Sequence, residues 1–385
     1  REIDAFLLTR QWRDTPDGIA LTFWLASDDG PLRVRYPAER AVMFVERHAP
    51  PGDGERSELE LTTMWGSPVD ALYFDSQRAL SAERERLRRL GHGTLESDVK
   101  PCDRFLMERF VTGSCRLRGE PQERAGFREL VRPTMKSTDY LPPLGVLSFD
   151  IETDGIDGPI VSIAAVDASR PDSDHEWVAM VGRGAPPAGV RLVAHEQALI
   201  EAFFELVRQR DPDVLIGWNV VEFDLAHLGR RCHELSLRFA LGRGGERAAV
   251  LPAQSASQLP IPRIPGRAVL DGIGTLKTAT YSFESFALDH VAREIVGRGK
   301  RIGAEVGDPV QEIRRLHRED QAALAAYNLE DCRLVREIFA ATDLLSFALA
   351  RQRMTGLPLS RVGGAVAAFD HLYLPRLHRQ GCVAG

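Results

Sequence analysis

The chain opens with short runs rich in β-forming residues, Phe6–Trp12, Ile19–Leu25 and Leu32–Tyr36. They are separated by Asp14-Thr-Pro-Asp-Gly18 and Asp28-Asp-Gly-Pro31, both strong turn sequences, so the spacing predicts an antiparallel meander. From Ser76 to Leu90 the pattern changes to a charged helix in which Arg84, Arg86, Arg88 and Arg89 alternate with Glu83 and Glu85. The stretch from there to Asp139 reads as irregular, and Leu141-Pro-Pro-Leu144 breaks regularity and marks a boundary. Residues 1–140 are therefore expected to form a β-rich N-terminal domain.

From Gly145 the grammar becomes α/β. Val146–Ile151, Pro159–Val166 and Trp177–Val181 read as strands, His195–Arg210 as an amphipathic helix, Val214–Gly217 as a further strand and Glu222 onward as a further helix. Strands alternating with helices predict a mixed or parallel sheet with helices packed on it, over residues 141–354. Between Arg243 and Pro265 the composition shifts to Gly, Ala, Ser, Gln and Pro, which predicts an extended surface excursion. Helices follow Arg267-Ala-Val-Leu-Asp271, the longest from Glu319 to about Ala341 and another from Thr342 to Met354. The fold class is α/β, or mixed α+β over the whole chain. Residues 355–385 are a closing segment that either completes the first domain or leads out of the second.

Composition narrows the function classes. The 385 residues exceed one hydrophobic core, so two or three domains are expected. With 44% hydrophobic and 27% charged residues, and no apolar run near the ~20 residues of a membrane span, no membrane partner is expected. A net charge of -6 excludes binding of nucleic acid by overall basicity and leaves a local basic cleft. Cys102, Cys115, Cys232, Cys332 and Cys382 are scattered with no C-x-x-C pair, which argues against disulfides or a cysteine zinc site and for a reducing cytoplasm. The first residue is Arg1 rather than methionine, and the dense stretch Ala367–Arg376 stands near the last residue, so the sequence reads as a portion of a longer protein.

Three motifs carry chemistry. In Phe149-Asp150-Ile151-Glu152-Thr153, strand alternation puts Asp150 and Glu152 on one face, where they can share a hard cation such as Mg²⁺ or Mn²⁺. Alone, the motif reads first as a solvated strand end. In Asp213-Val-Leu-Ile-Gly-Trp-Asn219 and Val220-Val-Glu-Phe-Asp224 a strand ends and Asp224 appears beside a helix start, either as a functional acid or as its N-cap. In Tyr327-Asn-Leu-Glu-Asp331 a phenol and a carboxylate four residues apart share one helix face, as a surface pair would too. The order of the three within one α/β segment is what sets them apart from chance.

In that order the chain resembles the DEDDy branch of 3'-to-5' exonucleases, and more specifically the exonuclease module of the family B DNA polymerases. The matching pieces are Phe-Asp-Ile-Glu-Thr (149–153), Ile-Gly-Trp-Asn (216–219), Gly-Arg-Ala-Val-Leu-Asp (266–271), Ser-Phe-Glu-Ser-Phe-Ala-Leu-Asp-His-Val-Ala (282–292) and Tyr-Asn-Leu-Glu-Asp-Cys (327–332). Residues 8–15 and 363–373 are similar to bacterial members of the family. The palm signatures Asp-x-x-Ser-Leu-Tyr-Pro-Ser and Asp-Thr-Asp do not occur, so the resemblance implies the N-terminal and exonuclease parts of a longer polymerase, with residues 355–385 leading toward a palm. It implies a ribonuclease H-like exonuclease domain, two Mg²⁺ or Mn²⁺ ions and proofreading hydrolysis of DNA. Asp150, Glu152, Asp224 and Asp331 are the implied metal ligands and Tyr327 the residue that orients the attacking water. Thr153, Asn219 and Phe223 are the implied contacts to a single-stranded or frayed primer 3' end. Further partners are the polymerase domains of the same chain and a sliding clamp, in a bacterial, nucleoid-associated setting.

Several residues keep two readings. Phe223 serves base stacking or core packing, and Thr153 a backbone contact to the 3'-hydroxyl or a strand-end turn. Asp271 reads as the N-cap of Gly272–Lys277 before it reads as a fifth ligand, and Lys277 as a solvated helix lysine or a phosphate contact. His195, His227 and His290 lack metal-ligand spacing, and Cys332 reads as a small buried neighbour of Asp331. The arginines of 84–89, 116–132 and 293–301 line a DNA path or a mixed-charge surface. The competing functions are a free-standing DEDDy nuclease and a catalytically silent DNA-binding or docking module.

Overall fold

The computed structural model of the chain describes residues 1–170, 175–253, 259–299 and 309–385. It divides into two compact units, one of residues 1–142, 351–358 and 364–385, the other of residues 143–350 and 359–363.

In the first unit β1 (Glu2–Thr15), β2 (Gly18–Ala26) and β3 (Leu32–Glu39) form the antiparallel meander that the turn sequences predict. Gly18 sits at φ 127°, and a Cβ there would stand 2.8 Å from the Ala38 Cα, so both conformation and space demand glycine. Next come β4 (Ala41–Glu46), β5 (Glu55–Thr63), β6 (Pro68–Phe74) and α1 (Gln77–Arg89). The helix starts where Ser76 Oγ accepts the Ala79 N–H.

Residues 91–139 differ from the irregular stretch expected. They form α2 (Pro101–Met107), β7 (Ser114–Arg118), β8 (Gln122–Arg124), β9 (Phe127–Val131) and β10 (Thr134–Ser137). These strands run three to five residues, too short to establish a period, and two of them pair with strands distant in sequence, β7 with β1 and β9 with β3. They complete a seven-stranded sheet of order β10-β7-β1-β2-β3-β9-β8. Phe23, Tyr36 and Phe105 pack at its core, the last two with ring centroids 4.3 Å apart.

The second unit holds β11 (Val146–Thr153), β12 (Ile160–Asp167), β13 (Glu176–Val181), β14 (Val190–Val193), α3 (Glu196–Arg210), β15 (Val214–Gly217), α4 (Ala226–Glu234), β16 (Ala249–Leu251), β17 (Ile261–Arg263), β18 (Ala268–Asp271) and α5 (Gly272–Thr278). α6 (Leu288–Val296), α7 (Pro309–Glu319) and α8 (Gln321–Ala341) follow, and then the start of α9 (Leu344–Thr355), whose last residues, 351–355, belong to the first unit. The sheet order is β14-β13-β12-β11-β15-β18, with β11–β12–β13 antiparallel and β11–β15–β18 parallel. This is the mixed sheet expected, and its two faces carry separate cores. Leu147, Phe149 and Ile151 pack with Leu199 and Phe203 of α3, while Ala164, Val166 and Met180 pack with Leu324, Ala325 and Cys332 of α8.

The 243–265 excursion is anchored rather than wholly on the surface. Arg243 is buried and bonds Asp211 and Asp213, Arg267 bonds Asp211, and β16 and β17 pair antiparallel. Residues 254–258 of the predicted excursion lie outside the described residues. At the end of the chain α10 (Ala365–Arg379) and β19 (Cys382–Val383) belong to the first unit, β19 pairing parallel to β5. No described helix is long and apolar enough to cross a membrane.

Candidate active site

β11 is flanked on both sides, by antiparallel β12 and parallel β15. Alternation along it sends Leu147, Phe149 and Ile151 into the core beneath α3 and turns Ser148, Asp150 and Glu152 toward α8. α8 answers with a buried stripe of Leu324, Ala325, Cys332 and Val335 that is interrupted by Asn328 and Asp331 at helical spacing. Ser148 Oγ donates to the Cys332 carbonyl at 3.0 Å and ties helix to strand. Asp150, Glu152 and Asp331 each thereby bring a carboxylate oxygen to within 4.8 Å of the others.

Glu152 and Asp331 are buried and Asp150 half-buried. Carboxylates so close repel one another unless protons or a cation intervene. Their all-oxygen donor set, at a site where the Cys332 sulfur points to the Ala164 carbonyl, fits a hard divalent cation.

Asp224 reaches the same strand by another route. Val221–Leu225 is a π-helical turn, with the Leu225 N–H bonded to the Val220 carbonyl at 2.8 Å, and the extra residue re-aims the side chain before α4 begins. The Asp224 Oδ1 accepts the Ile151 N–H at 3.1 Å, between Asp150 and Glu152 and beyond Ser148, where pairing of β11 with β15 stops. The N-cap alternative therefore falls: α4 has no side-chain cap. Burial, and next the charge of Asp150, push the Asp224 carboxyl well above the usual carboxylate range. Asp224 is not one of the three acids of the compact cluster.

Tyr327 is half-buried on α8, one turn before Asp331 and on its face. Thr153 is the buried last residue of β11, at a register shift against β12. Asn219 holds a left-handed conformation, φ 56°, just after β15, and its carbonyl accepts the Phe223 N–H. The Trp218 indole N–H, bonded to the Phe286 carbonyl at 2.9 Å, pins that turn. Phe223 is half-buried against the α3-side core, its ring centroid 5.8 Å from that of His227, in keeping with the packing reading.

Asp271 is the N-cap of α5, accepting the Ile273 and Gly274 N–H groups, with burial raising its carboxyl and these donors opposing the rise. Lys277 lies over the Phe286 ring, 4.7 Å from its centroid. His195 caps α3, His227 bonds the Gly158 carbonyl, and His290 pairs with Glu294. Burial drives the Cys332 thiol far above its ordinary range. Much of the suspected DNA-path arginine is engaged within the fold: Arg86 with Glu83, Arg116 with Asp4, Arg128 with Asp29, Arg293 with Asp289 and Arg298 with Glu330 and Glu337. Residues 300 and 301 of the last cluster lie outside the described residues.

Two residues at the site were not singled out by the sequence reading. Asn328 donates from Nδ2 to Asp150 Oδ2 at 2.7 Å, and Arg314 of α7 pairs with Asp154, next after Thr153. A polar residue inside the apolar stripe of α8 was the available signal for Asn328. Nothing in the spacing marked Arg314.

Comparison with known proteins follows the same lines. Residues 5–40 match the N-terminal model of DNA polymerase II, and residues 94–291 match the exonuclease domain of DNA polymerase family B. DNA polymerase II of Escherichia coli (strain K12) is 37% identical over 98% of this chain and 49% of its own length. A DNA polymerase of Thermococcus sp. (strain 9oN-7) is 26% identical over 84% of this chain and 39% of its own length. The chain thus spans about half or less of these relatives. The family B DNA polymerase from the hyperthermophilic archaeon Pyrobaculum calidifontis shares the fold, with a TM-score of 0.74, 19% identity, and coverage of 99% of this chain and 51% of that one.

Proposed function

The chain belongs to the family B DNA polymerases, of which it holds the N-terminal and exonuclease domains, and from this we propose that its second unit hydrolyses DNA from the 3' end to remove misincorporated nucleotides. The observation that carries the reading is the convergence of Asp150 and Glu152 from β11 with Asp331 from α8. In this reading Asp150, Glu152 and Asp331 would hold one Mg²⁺ or Mn²⁺ ion, and Asp150 with Asp224 would hold a second. Bound there, such ions supply Lewis-acid stabilisation of the charge that develops on the attacking and leaving oxygens of an in-line displacement.

The protein's own groups do the rest. Asp150 would serve as a ligand to both ions. The tether from Asp224 to the Ile151 N–H holds that carboxylate beside Asp150. Tyr327 orients the attacking water through its hydroxyl, assisted by Glu152; a phenol of ordinary pKa near 10 is a poor base, so its role is orientation. Asn219 and the Thr153 backbone receive the terminal nucleotide, and Phe223 lines the entry. The substrate is a single-stranded or frayed primer 3' end, and the product a nucleoside 5'-monophosphate. In the longer protein the same chain carries template-directed synthesis in the cytoplasm, with a sliding clamp as a further partner.

The test is to incubate the 385-residue chain with 5'-labelled single-stranded DNA and Mg²⁺, beside an EDTA control and an Asp150→Ala/Glu152→Ala variant. Stepwise shortening from the 3' end by the unmutated chain alone supports the reading. Equal shortening by the folded double variant overturns it.

A further inference from the structure

Asn328 is fully buried in the stripe where α8 meets β11 and β12. Its amide bridges two strands: Nδ2 donates to Asp150 Oδ2 at 2.7 Å, and Oδ1 accepts the Ser162 hydroxyl at 2.9 Å. The neighbours dictate the direction of the amide, because an ionised carboxylate only accepts and must face the NH₂ end, leaving the carbonyl end to the hydroxyl. Ser162 is itself the ladder partner of Glu152. The bridge therefore runs at the level of the acids, from β12 through α8 to β11.

Packing does not account for an amide at this place. An apolar residue of similar size would fill the stripe without the desolvation penalty. A lysine or arginine would also hold Asp150, but would neutralise it. A neutral donor orients the carboxylate and leaves its charge available to a cation, which is the division of labour between metal ligands and the groups behind them. We infer that Asn328 is a positioning residue that, braced by Ser162, holds the Asp150 carboxylate toward Glu152 and Asp331 so that the donor set is preformed before a divalent cation arrives. The inference rests on the reading of these acids as a metal site.

The test measures binding of Mn²⁺ alone, by the paramagnetic resonance signal of the free ion, to the 385-residue chain without DNA. The chains compared are the unmutated one, Asn328→Leu, Ser162→Ala and Asp150→Ala, each checked for folding in EDTA. Asn328→Leu is expected to weaken Mn²⁺ binding about 10–100-fold. Ser162→Ala, which keeps the donor but removes its brace, weakens it by a smaller factor. In the nuclease assay Asn328→Leu lowers kcat with KM for DNA unchanged, and saturating Mn²⁺ restores the rate. Unaltered Mn²⁺ affinity in folded Asn328→Leu, with binding abolished in Asp150→Ala, overturns the role of Asn328 and leaves the metal site standing. Should Asn328→Leu fail to fold, Ser162→Ala decides: weakened binding supports the role and unchanged binding overturns it. Mn²⁺ binding that survives Asp150→Ala overturns the site reading and this inference with it.

Discussion

In the first unit Glu129 lies among Arg33, Arg35 and Arg124, Asp70 between Arg47 and Arg56, and Glu96 between Arg104 and His378. In the second unit Asp150, Glu152 and Asp331 are gathered beside one another, with Asp224 close enough to feel the charge of Asp150. Burial alone would raise the carboxyls of Asp70, Glu96, Glu129 and Asp224. The guanidinium groups overcome it for Asp70 and Glu129, as the His378 bond and Arg104 do for Glu96, and hold them below the usual range, whereas Asp224 is pushed above it. Acids that hold a fold together are matched with cations inside the fold. In the proposed function, the acids gathered at the end of β11 receive a cation from outside, and that contrast is what the reading rests on.

The contrast breaks most sharply at Asp150. Asp150→Ala is expected to cut exonuclease turnover about 10³-fold or more, on the order of 4 kcal/mol of barrier, with the chain still folded; single-turnover kinetics on labelled DNA read it. A change of the opposite character awaits Arg104→Met. That variant takes the guanidinium partner from the buried Glu96, leaving it His378 and the Ala384 N–H, and is expected to cost about 3 kcal/mol of stability in the first unit, read as a lowered urea midpoint. Asp224→Asn sharpens the comparison by reversing the sign. In EDTA it removes a buried charge beside Asp150 while keeping an acceptor for the Ile151 N–H, so it is expected to stabilise the second unit by on the order of 1 kcal/mol, an advantage that Mg²⁺ erases.

The smallest effect is in pH. Because the Asp224 carboxyl is raised in the folded chain, the folded state binds the proton first, and acidification through that raised pKa stabilises the second unit. The Glu96 carboxyl is lowered, so its contribution is intact above about pH 4.3 and is lost as pH falls below that through its depressed folded value. Calorimetry in EDTA should show the second unit gaining stability as pH falls through the raised Asp224 value toward about pH 3.9, and the first unit losing it only as pH falls below about 4.3; Asp224→Asn should flatten the response of the second.

That Asp150 and Glu152 share one face of β11 was legible because strand alternation is a two-residue rule, and that Tyr327 and Asp331 share one face of α8 because helical spacing is a four-residue one. The same local rules gave the meander, its turns, the charged helix that begins near Ser76 and the cap at Asp271. The aim of Asp224 was not legible, since it depends on a π-turn that no spacing announces. Asn328 stood inside the quoted motif and passed unremarked, because its partner Asp150 is 178 residues away. β7, β9 and the pairing of β19 with β5 were missed for the same reason, short segments being stabilised by neighbours remote in sequence.

The most direct measurement is anomalous diffraction from crystals of the chain grown with Mn²⁺ and collected at the manganese edge. The account predicts a peak coordinated by Asp150, Glu152 and Asp331, absent from Asp150→Ala crystals grown alike. Manganese bound only elsewhere, with the three carboxylates unchanged around a metal-free centre, would contradict it.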